Sequence, residues 1–348
     1  MFYTPGMIDS VTLQPVGLDA YARPGSRALA GGRLHFRDCV LGRRGPDGVE
    51  REIVSLGALP PAAAETLERL CQPRPPLGGV ALDSPAIMGI VNVTPDSFSD
   101  GGDRIDSGRA VADGLSMAEE GAAWIDVGGE STRPGAGEVP LDEELRRVLP
   151  VVEGLAKSGV KVSIDARHAQ VMAAAADAGA ALINDVAGLR GPGSLEAAAH
   201  SGLPVVLMHM QGEPRSMQRA PGYDDVASDV YDFLAERVAA CEAAGIERSR
   251  IAVDPGIGFG KTVAHNLELI ERLALFQGLG CAVLLGASRK SFIGRLSRGE
   301  DAKARMPGSL AVALAGVARG AQVLRVHDVA ETRQAIALWQ ALIDPPAD

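Results

Sequence analysis

From Pro85 onward, short apolar runs alternate with amphipathic stretches. The runs are AIMGIVNV, AAWIDVGG, VKVSIDA, AALINDV, LPVVLMHM, RIAVDPG, AVLLGAS and QVLRVHD. Each has the length of a strand and is apolar almost throughout, which suits parallel strands covered on both faces. Between them, SGRAVADGLSMAEEGAA puts Val111, Leu115 and Ala118 on one stripe. LDEELRRVLPVVEGLA, AQVMAAAADAGA, YDDVASDVYDFLAERVAACEAAG and HNLELIERLALF follow the same helical period. Eight β-then-α units over roughly 250 residues have the size and order of a TIM barrel. The rival is an open doubly wound sheet, but no Gly-x-Gly-x-x-Gly follows the first run. The predicted fold class is therefore α/β, a TIM (β/α)8 barrel over residues 86–345.

Residues 1–85 read differently, as a small appended α+β unit. HFRDCVLGRRGPDGVEREIVSL predicts two strands around the turn Gly45-Pro46-Asp47-Gly48. PPAAAETLERLC predicts a short helix led by prolines, and QPRPPLGG a Pro/Gly linker. No constellation of reactive side chains falls in this unit, and it receives no role.

The ends of the runs carry the candidate chemistry. In order they are Asn92, Asp126, Asp165, Asn184 with Asp185, His209, Asp254, Ser288 with Arg289 and Lys290, then Arg325 with His327. In a barrel these positions converge on one face, where sites of this fold lie. So many side chains that are costly to bury unpaired argue for a ligand rather than for the mere start of loops. Arg325 and His327 stand two apart on a strand and so face the same side. With Arg133, from the glycine-containing STRPGAG stretch, they suit a phosphate clamp. Asp165, Asn184 and Asp254 can accept from the ring N–H and exocyclic amines of a flat nitrogen heterocycle of the pterin or guanine kind, while Lys290 donates. A carboxylate metal site is the competing reading, and Asn184 and Lys290 fit it poorly. TPDSFSDGGDR and STRPGAGE are loops able to cover a reactive centre, with Phe98 as an apolar cap.

Composition narrows the field. Of 348 residues, 46% are hydrophobic, 22% charged and 4% aromatic, as in a globular protein with a core of small and aliphatic side chains. A net charge of −10 argues against general nucleic-acid binding but not against a local basic pocket. Cys39, Cys71, Cys241 and Cys281 are widely spaced, which points to reduced thiols in a cytoplasmic protein rather than to zinc or a disulfide framework. No signal-peptide pattern and no window of about 18 apolar residues is present, so no membrane association is expected.

The strings GIVNVTPDSFSDGG, IDVGGESTRPGA, INDV, LMHMQGEPRSMQ, DPGIGFGK, SRKSFIG and RVHDV closely resemble the dihydropteroate synthase family, from Ile87 to about Asp328. The resemblance implies a pterin-binding barrel. Its reaction is a transferase step of folate biosynthesis, joining 4-aminobenzoate to (7,8-dihydropterin-6-yl)methyl diphosphate with release of pyrophosphate. Sulfonamides block that step by mimicking the aminobenzoate. Carried over by position, Asn92 helps hold Mg²⁺ on the diphosphate. Asp126, Asp165, Asn184, Met208, Asp254 and Lys290 bind the pterin. Thr132, Arg133, Arg325 and His327, with Asn92, bind the diphosphate. Phe98, Arg133, Pro134, Phe259 and Ser291 border the aminobenzoate, and Asp100 lies on the first covering loop. Asn92, Asp100, Thr132, Arg133, Lys290, Arg325 and His327 form the implied catalytic set. The resemblance also implies a homodimer.

Two departures stand out. Ala166-Arg167-His168 follow Asp165 where the family usually has Thr-Ser-Lys, so a hydroxyl cap for the next helix is gone. EDAKARMPGSLA lacks the family's proline–glutamate lead, although Arg305 and Gly308-Ser309 remain. Two other readings use the same barrel: a pterin-binding methyltransferase domain serving a corrinoid partner, and a paralogue that binds without turnover. Neither would need both complete loops together with the Arg325/His327 pair.

Overall fold

The computed structural model describes residues 11–46, 48–93, 103–130, 137, 139–213 and 216–343, with the backbone alone for residues 103–106. The chain opens with strands β1 (Val11–Val16), β2 (Arg27–Ala28), β3 (His35–Phe36), β4 (Asp38–Gly45) and β5 (Gly48–Ser55), followed by helix α1 (Ala64–Cys71). β4 and β5 are the two predicted strands, with Gly45 opposite Gly48 at the turn. β1 was not predicted. VTLQPV carries Gln14 and Pro15, which weaken a strand pattern. Its place at the edge of the β1-β4-β5 sheet makes the proline tolerable.

The eight predicted runs become β6 (Ala86–Asn92), β7 (Trp124–Gly128), β8 (Val162–Asp165), β9 (Leu182–Asp185), β10 (Val205–Met208), β11 (Ile251–Asp254), β12 (Ala282–Leu285) and β13 (Val323–Val326). They pair in sequence order and close, β13 on β6, into a parallel barrel. Around it lie α2 (Asp103–Glu119), α3 (Leu141–Lys157), α4 (Ala169–Asp177), α5 (Ser194–Ser201), α6 (Val226–Ala243), α7 (Val263–Glu271), α8 (Ser291–Leu296), α9 (Met306–Val317) and α10 (Val329–Ile343). α3 illustrates why they form. Asp142, Glu143 and Glu144 occupy its first turn and Lys157 its last, complementing the helix dipole. Val148, Val151, Val152 and Leu155 form its buried stripe. The predicted helix HNLELIERLALF is divided: α7 stops at Glu271, and Leu273–Leu279 continue as a fully buried 3₁₀ stretch. None of the described helices is long and apolar enough to cross a membrane, and all four cysteines are free and buried.

The pleat of the barrel explains the placement of the site. Met88, Trp124, Leu182, Val206, Ala252, Ala282, Leu284 and Val323 form one buried cluster inside the barrel. Residues two further along each strand share their face. Those residues include Asp126, Asn184, Met208, Asp254 and Arg325. Asp165 joins them through the register, since it pairs with both Gly128 and Asn184. The apolar layer is thus the floor beneath the polar layer. Leu77 and Leu82 belong to the same cluster and are 2% and 8% exposed. The QPRPPLGG segment, read as a linker, therefore supplies a plug for the lower mouth of the barrel, and burying Leu77 there contributes about 2 kcal/mol. The N-terminal sheet and α1 share a second apolar cluster with Ala274 of the 3₁₀ stretch. Arg74 joins the two parts further, donating to the carbonyls of Cys281 (3.0 Å) and Gln277 (2.8 Å).

Candidate functional site

At the C-terminal mouth a guanidinium stands between two carboxylates. Arg325 Nε donates to Asp126 Oδ2 (2.5 Å) and Nη2 donates to Asp165 Oδ2 (2.7 Å). Asp126 is fully buried and also accepts from the Ser163 hydroxyl (2.5 Å) and the Asn184 amide (3.1 Å). Three consecutive strands, β7 to β9, and β13 thus meet at one carboxylate cluster. Burial pushes the Asp165 carboxyl up to about 7. Arg325 opposes that shift, and the neighbouring Asp126 and Asp185 add to it. For Arg325 burial acts downward, yet Asp126 and Asp165 outweigh it and hold the group charged. Asp185 belongs to the frame rather than to the mouth. It accepts from the N–H groups of Ala187 (2.7 Å) and Leu189 (2.8 Å), closing the turn after β9.

Across the mouth, Asp254 ends β11 and accepts from Gly256 N–H at 2.7 Å. Burial raises its pKa, while that N–H, Lys290 and Arg325 act the other way. Lys290 Nζ lies 3.9 Å from the centre of the Phe259 ring, a cation–π contact. Lys290 stands just before α8 on a turn whose preceding residue, Arg289, takes φ +57°. That strained turn is held by Ser309 Oγ, which accepts Arg289 N–H (2.8 Å), and by Arg305, which donates to the Arg289 carbonyl (3.1 Å). Arg289 itself pairs with Asp328. Arg305 and Ser309, kept from the family pattern despite the altered lead, thus have the job of presenting Lys290. His327 sits beside Ser288, with Nδ1 and Oγ 3.0 Å apart and the His327 N–H on the same oxygen at 3.2 Å.

Lys261, at the end of DPGIGFGK, lies beyond the strand ends from which the candidate site was read. It is 3% exposed, and its Nζ lies 2.8 Å from His209 Nδ1 and 3.0 Å from the Phe259 carbonyl. Burial brings its pKa down to about 7, against the pull of Asp254. Burial, then Lys261, keeps His209 well below its ordinary value and hence neutral, so Nδ1 accepts. Gly256, Gly258 and Gly260 all take positive φ and wrap the turn around this ammonium. A Cβ on Gly256 would sit 1.9 Å from the His209 carbonyl oxygen. The signal available in the sequence was that spacing of glycines before a lysine.

The Ala166-Arg167-His168 departure has a structural answer. His168 makes no side-chain cap for α4. Instead its Nδ1 lies 2.8 Å from the buried Glu144, and Arg167 forms a two-pronged pair with Glu130 (2.7 and 2.9 Å). The connection after β8 is therefore tied to the end of β7 by charge rather than capped by a hydroxyl.

Asn92 is half-buried at the end of β6, opposite Gly128, and among the described residues no group of three acidic, histidine or cysteine side chains could hold a metal. Met208 and Phe259 share a small apolar cluster with Val186, Met210 and Met217. Ser291 is exposed at the start of α8. Phe98, Asp100, Thr132, Arg133 and Pro134 lie outside the described residues. The remaining named positions come to one mouth, with Arg325 on two acids expected to hold a heterocycle rather than standing apart in a phosphate clamp.

Residues 88–327 match the family model described as "Pterin binding enzyme". Dihydropteroate synthase of Escherichia coli K12 is 49% identical over 268 residues, covering 76% of this chain and 95% of that protein. The Xanthomonas albilineans dihydropteroate synthase solved with 4-aminobenzoic acid superimposes with a TM-score of 0.73 at 52% identity, over 77% of this chain and 96% of that one. The same organism's enzyme in complex with 7,8-dihydropteroate gives 0.70 at 49% identity, over 77% and 97%.

Proposed function

The chain belongs to the pterin-binding enzyme family as a dihydropteroate synthase, and from that premise we propose how its own residues carry the reaction. The activity is a transferase step of folate biosynthesis. 4-Aminobenzoate and (7,8-dihydropterin-6-yl)methyl diphosphate become 7,8-dihydropteroate and pyrophosphate. The observation that carries the assignment of roles is the convergence of Asp126, Asp165, Asn184 and Arg325 on one hydrogen-bonded cluster.

Asp165, Asn184 and Asp254 take the donors of the pterin edge, Lys290 donates to a ring acceptor, and Asp126 and Met208 line the pocket. Without substrate, Arg325 keeps Asp126 and Asp165 paired, which avoids the cost of unpaired buried charge. The pterin's own N–H donors replace it at Asp165 and free Nη2 for the diphosphate. Ser288 Oγ accepts the His327 N–H and lies 3.0 Å from Nδ1, which fixes the ring that meets the same anion. Thr132 and Arg133 complete that set. Phe98, Arg133, Pro134, Phe259 and Ser291 border the aminobenzoate, and Asp100 belongs to the covering loop. The Asn92 carboxamide is a hard oxygen donor and would help hold Mg²⁺ on the diphosphate. When bound, the ion supplies charge neutralisation for the departing diphosphate.

The electron-rich dihydropterin stabilises a methylene cation, so C–O cleavage leads and the amine follows. Arg325 and His327 meet the charge that develops on the leaving group. An arylamine is neutral at pH 7 and needs no strong base, which accounts for a mouth with no nucleophile–base pair assigned. We further propose a homodimer. Leu338 and Leu342 on α10 and Leu267 on α7 are 63%, 80% and 44% exposed, beside the largely apolar α9. The free thiols support a reducing, cytoplasmic setting.

The test is pyrophosphate release that requires aminobenzoate, the pterin diphosphate and Mg²⁺ together. Pterin binding without release would instead point to a non-catalytic or methyl-transferring member. A pH experiment probes Asp165. Its pKa is raised to about 7, so it protonates as pH falls through neutrality and stops accepting pterin donors. Affinity for a pterin fragment, measured by calorimetry, is expected to be about tenfold weaker at pH 6 than at pH 8. D165N flattens the profile, separating it from the titration of Lys261. A flat profile in the unaltered protein would remove Asp165 from the contact.

A further inference from the structure

The N-terminal unit lies outside the family match, which begins at residue 88. Among its described residues none stands at the mouth, yet three of its side chains act on one place, the head of α6. Gln14 on β1 accepts from Arg272 Nε (3.0 Å), and Arg272 Nη1 donates to both oxygens of Asp225 (3.0 and 3.2 Å). Arg51 on β5 pairs with the same Asp225, and Arg44 on β4 pairs with Asp229 (2.8 Å) and Asp232 (2.9 Å). Gln14 and Arg272 are 7% and 8% exposed, so this is an interior contact and not a loose surface pair.

The gripped acids are those that start the helix. Asp225 is the N-cap of α6 and accepts Ser228 N–H at 2.8 Å, and Asp229 accepts the N–H groups of Asp224 (3.1 Å) and Asp225 (3.4 Å). Directly before them, Gly222 exchanges two hydrogen bonds with the Gln211 side chain (2.8 and 3.1 Å), and the Tyr223 hydroxyl donates to the Gly260 carbonyl (2.7 Å). Gln211 and Gly260 touch so closely that a Cβ on Gly260 would lie 2.6 Å from the Gln211 carbonyl oxygen. Gly260 stands between Phe259 and Lys261, and Gln211 two residues past His209. An unbroken chain of contacts therefore runs from the N-terminal sheet to the turn that bears Phe259.

We propose that the N-terminal unit is a brace for the site. Gln14, Arg44 and Arg51 are positioning residues that, through Asp225 and Asp229, hold the Gly222–Asp225 segment before α6 and the Gly256–Lys261 turn in register. The inference rests on the reading of Phe259 as an aminobenzoate neighbour, and its first readout is independent of turnover. The full-length R44M/R51M double variant is compared with R43M, which breaks the pair between Arg43 and Glu52 (2.7 Å) within the same sheet. Hydrogen exchange over residues 222–229 and 256–261 is expected to speed up about tenfold in the double variant alone, with Val162–Asp165 unchanged. The KM for aminobenzoate is expected to rise roughly fivefold with kcat within twofold, and R44K/R51K to recover most of it. A lowered melting temperature without this local exchange change overturns the proposal, as does an equal effect in R43M or a uniform change across the barrel. Exchange that changes as expected in protein that never turns over would keep the brace and remove the assignment of Phe259.

Discussion

R325A is expected to lower kcat/KM by roughly a thousandfold, because one side chain serves two charges in turn. The first loss is at the leaving diphosphate, where a guanidinium supplies parallel donors. The second is in the pterin pocket. Asp126 would keep Ser163 and Asn184, but Asp165 has no other side-chain or N–H donor among the described residues. Arg325 is the chief influence holding the Asp165 carboxyl down, so without it the pKa climbs further above about 7 and the group is neutral at pH 7. A neutral acid does not accept the pterin donors as a carboxylate does, so pterin-fragment binding should fall as well. Breaking the buried pair should cost about 3 kcal/mol of stability, moderated because Asp165 can take up a proton. R325K keeps a charge but has no planar fork to span two carboxylates, and an intermediate loss is expected. Steady-state pyrophosphate release, calorimetry with a pterin fragment and thermal unfolding separate these effects. A kcat/KM within tenfold of the unaltered enzyme would take Arg325 out of the clamp.

The same residue marks where sequence reasoning stops. Its position inside VLRVH, two before His327, was legible because alternate residues of a strand share a face. Asp126, Asn184 and Asp254 were legible as the ends of apolar runs, and in the barrel they stand over the apolar floor. The partners of Arg325 were not legible. A ligand-free protein must satisfy a buried guanidinium internally, and which acids lie within reach depends on the stagger of β13 against β7 and β8. The eight barrel strands were legible because doubly covered parallel strands must be apolar throughout. β1 was hidden by Gln14 and Pro15, whose tolerance depends on an edge position and on Arg272, 258 residues away. The linker around Leu77 looked like a spacer because its burial depends on the open end of the barrel. The break after Glu271 was invisible to helical periodicity, since every residue from Leu273 to Leu279 is buried and no stripe remains. Lys261 would ordinarily be read as a solvated lysine. Only the three positive-φ glycines before it close the turn that buries it.

D254N separates a residue kept for binding from one kept for folding. Asn retains an oxygen for Gly256 N–H, so the turn toward Lys261 should persist. What it loses is the second acceptor and the charge. An amide NH₂ facing pterin donors opposes two hydrogens, and affinity for a pterin fragment should fall about a hundredfold. Stability should move the other way or not at all. Burial raises the Asp254 pKa above its unfolded value, so ionising it in the fold carries a net cost, partly offset by Gly256, Lys290 and Arg325. That cost is absent below the unfolded pKa and grows as pH rises through the folded one. A neutral isostere escapes it, so the melting temperature of D254N at pH 7 should equal or exceed that of the unaltered protein. Lys261 would lose the nearby charge that most favours its protonated form and titrate lower still. The KM for aminobenzoate should stay nearly constant, since Phe259 and Lys290 keep their contact. Undiminished pterin affinity would remove Asp254 from the pocket. A fall in both affinity and melting temperature would make it a structural carboxylate, because only a ligand explains a buried charge whose removal costs binding and nothing else.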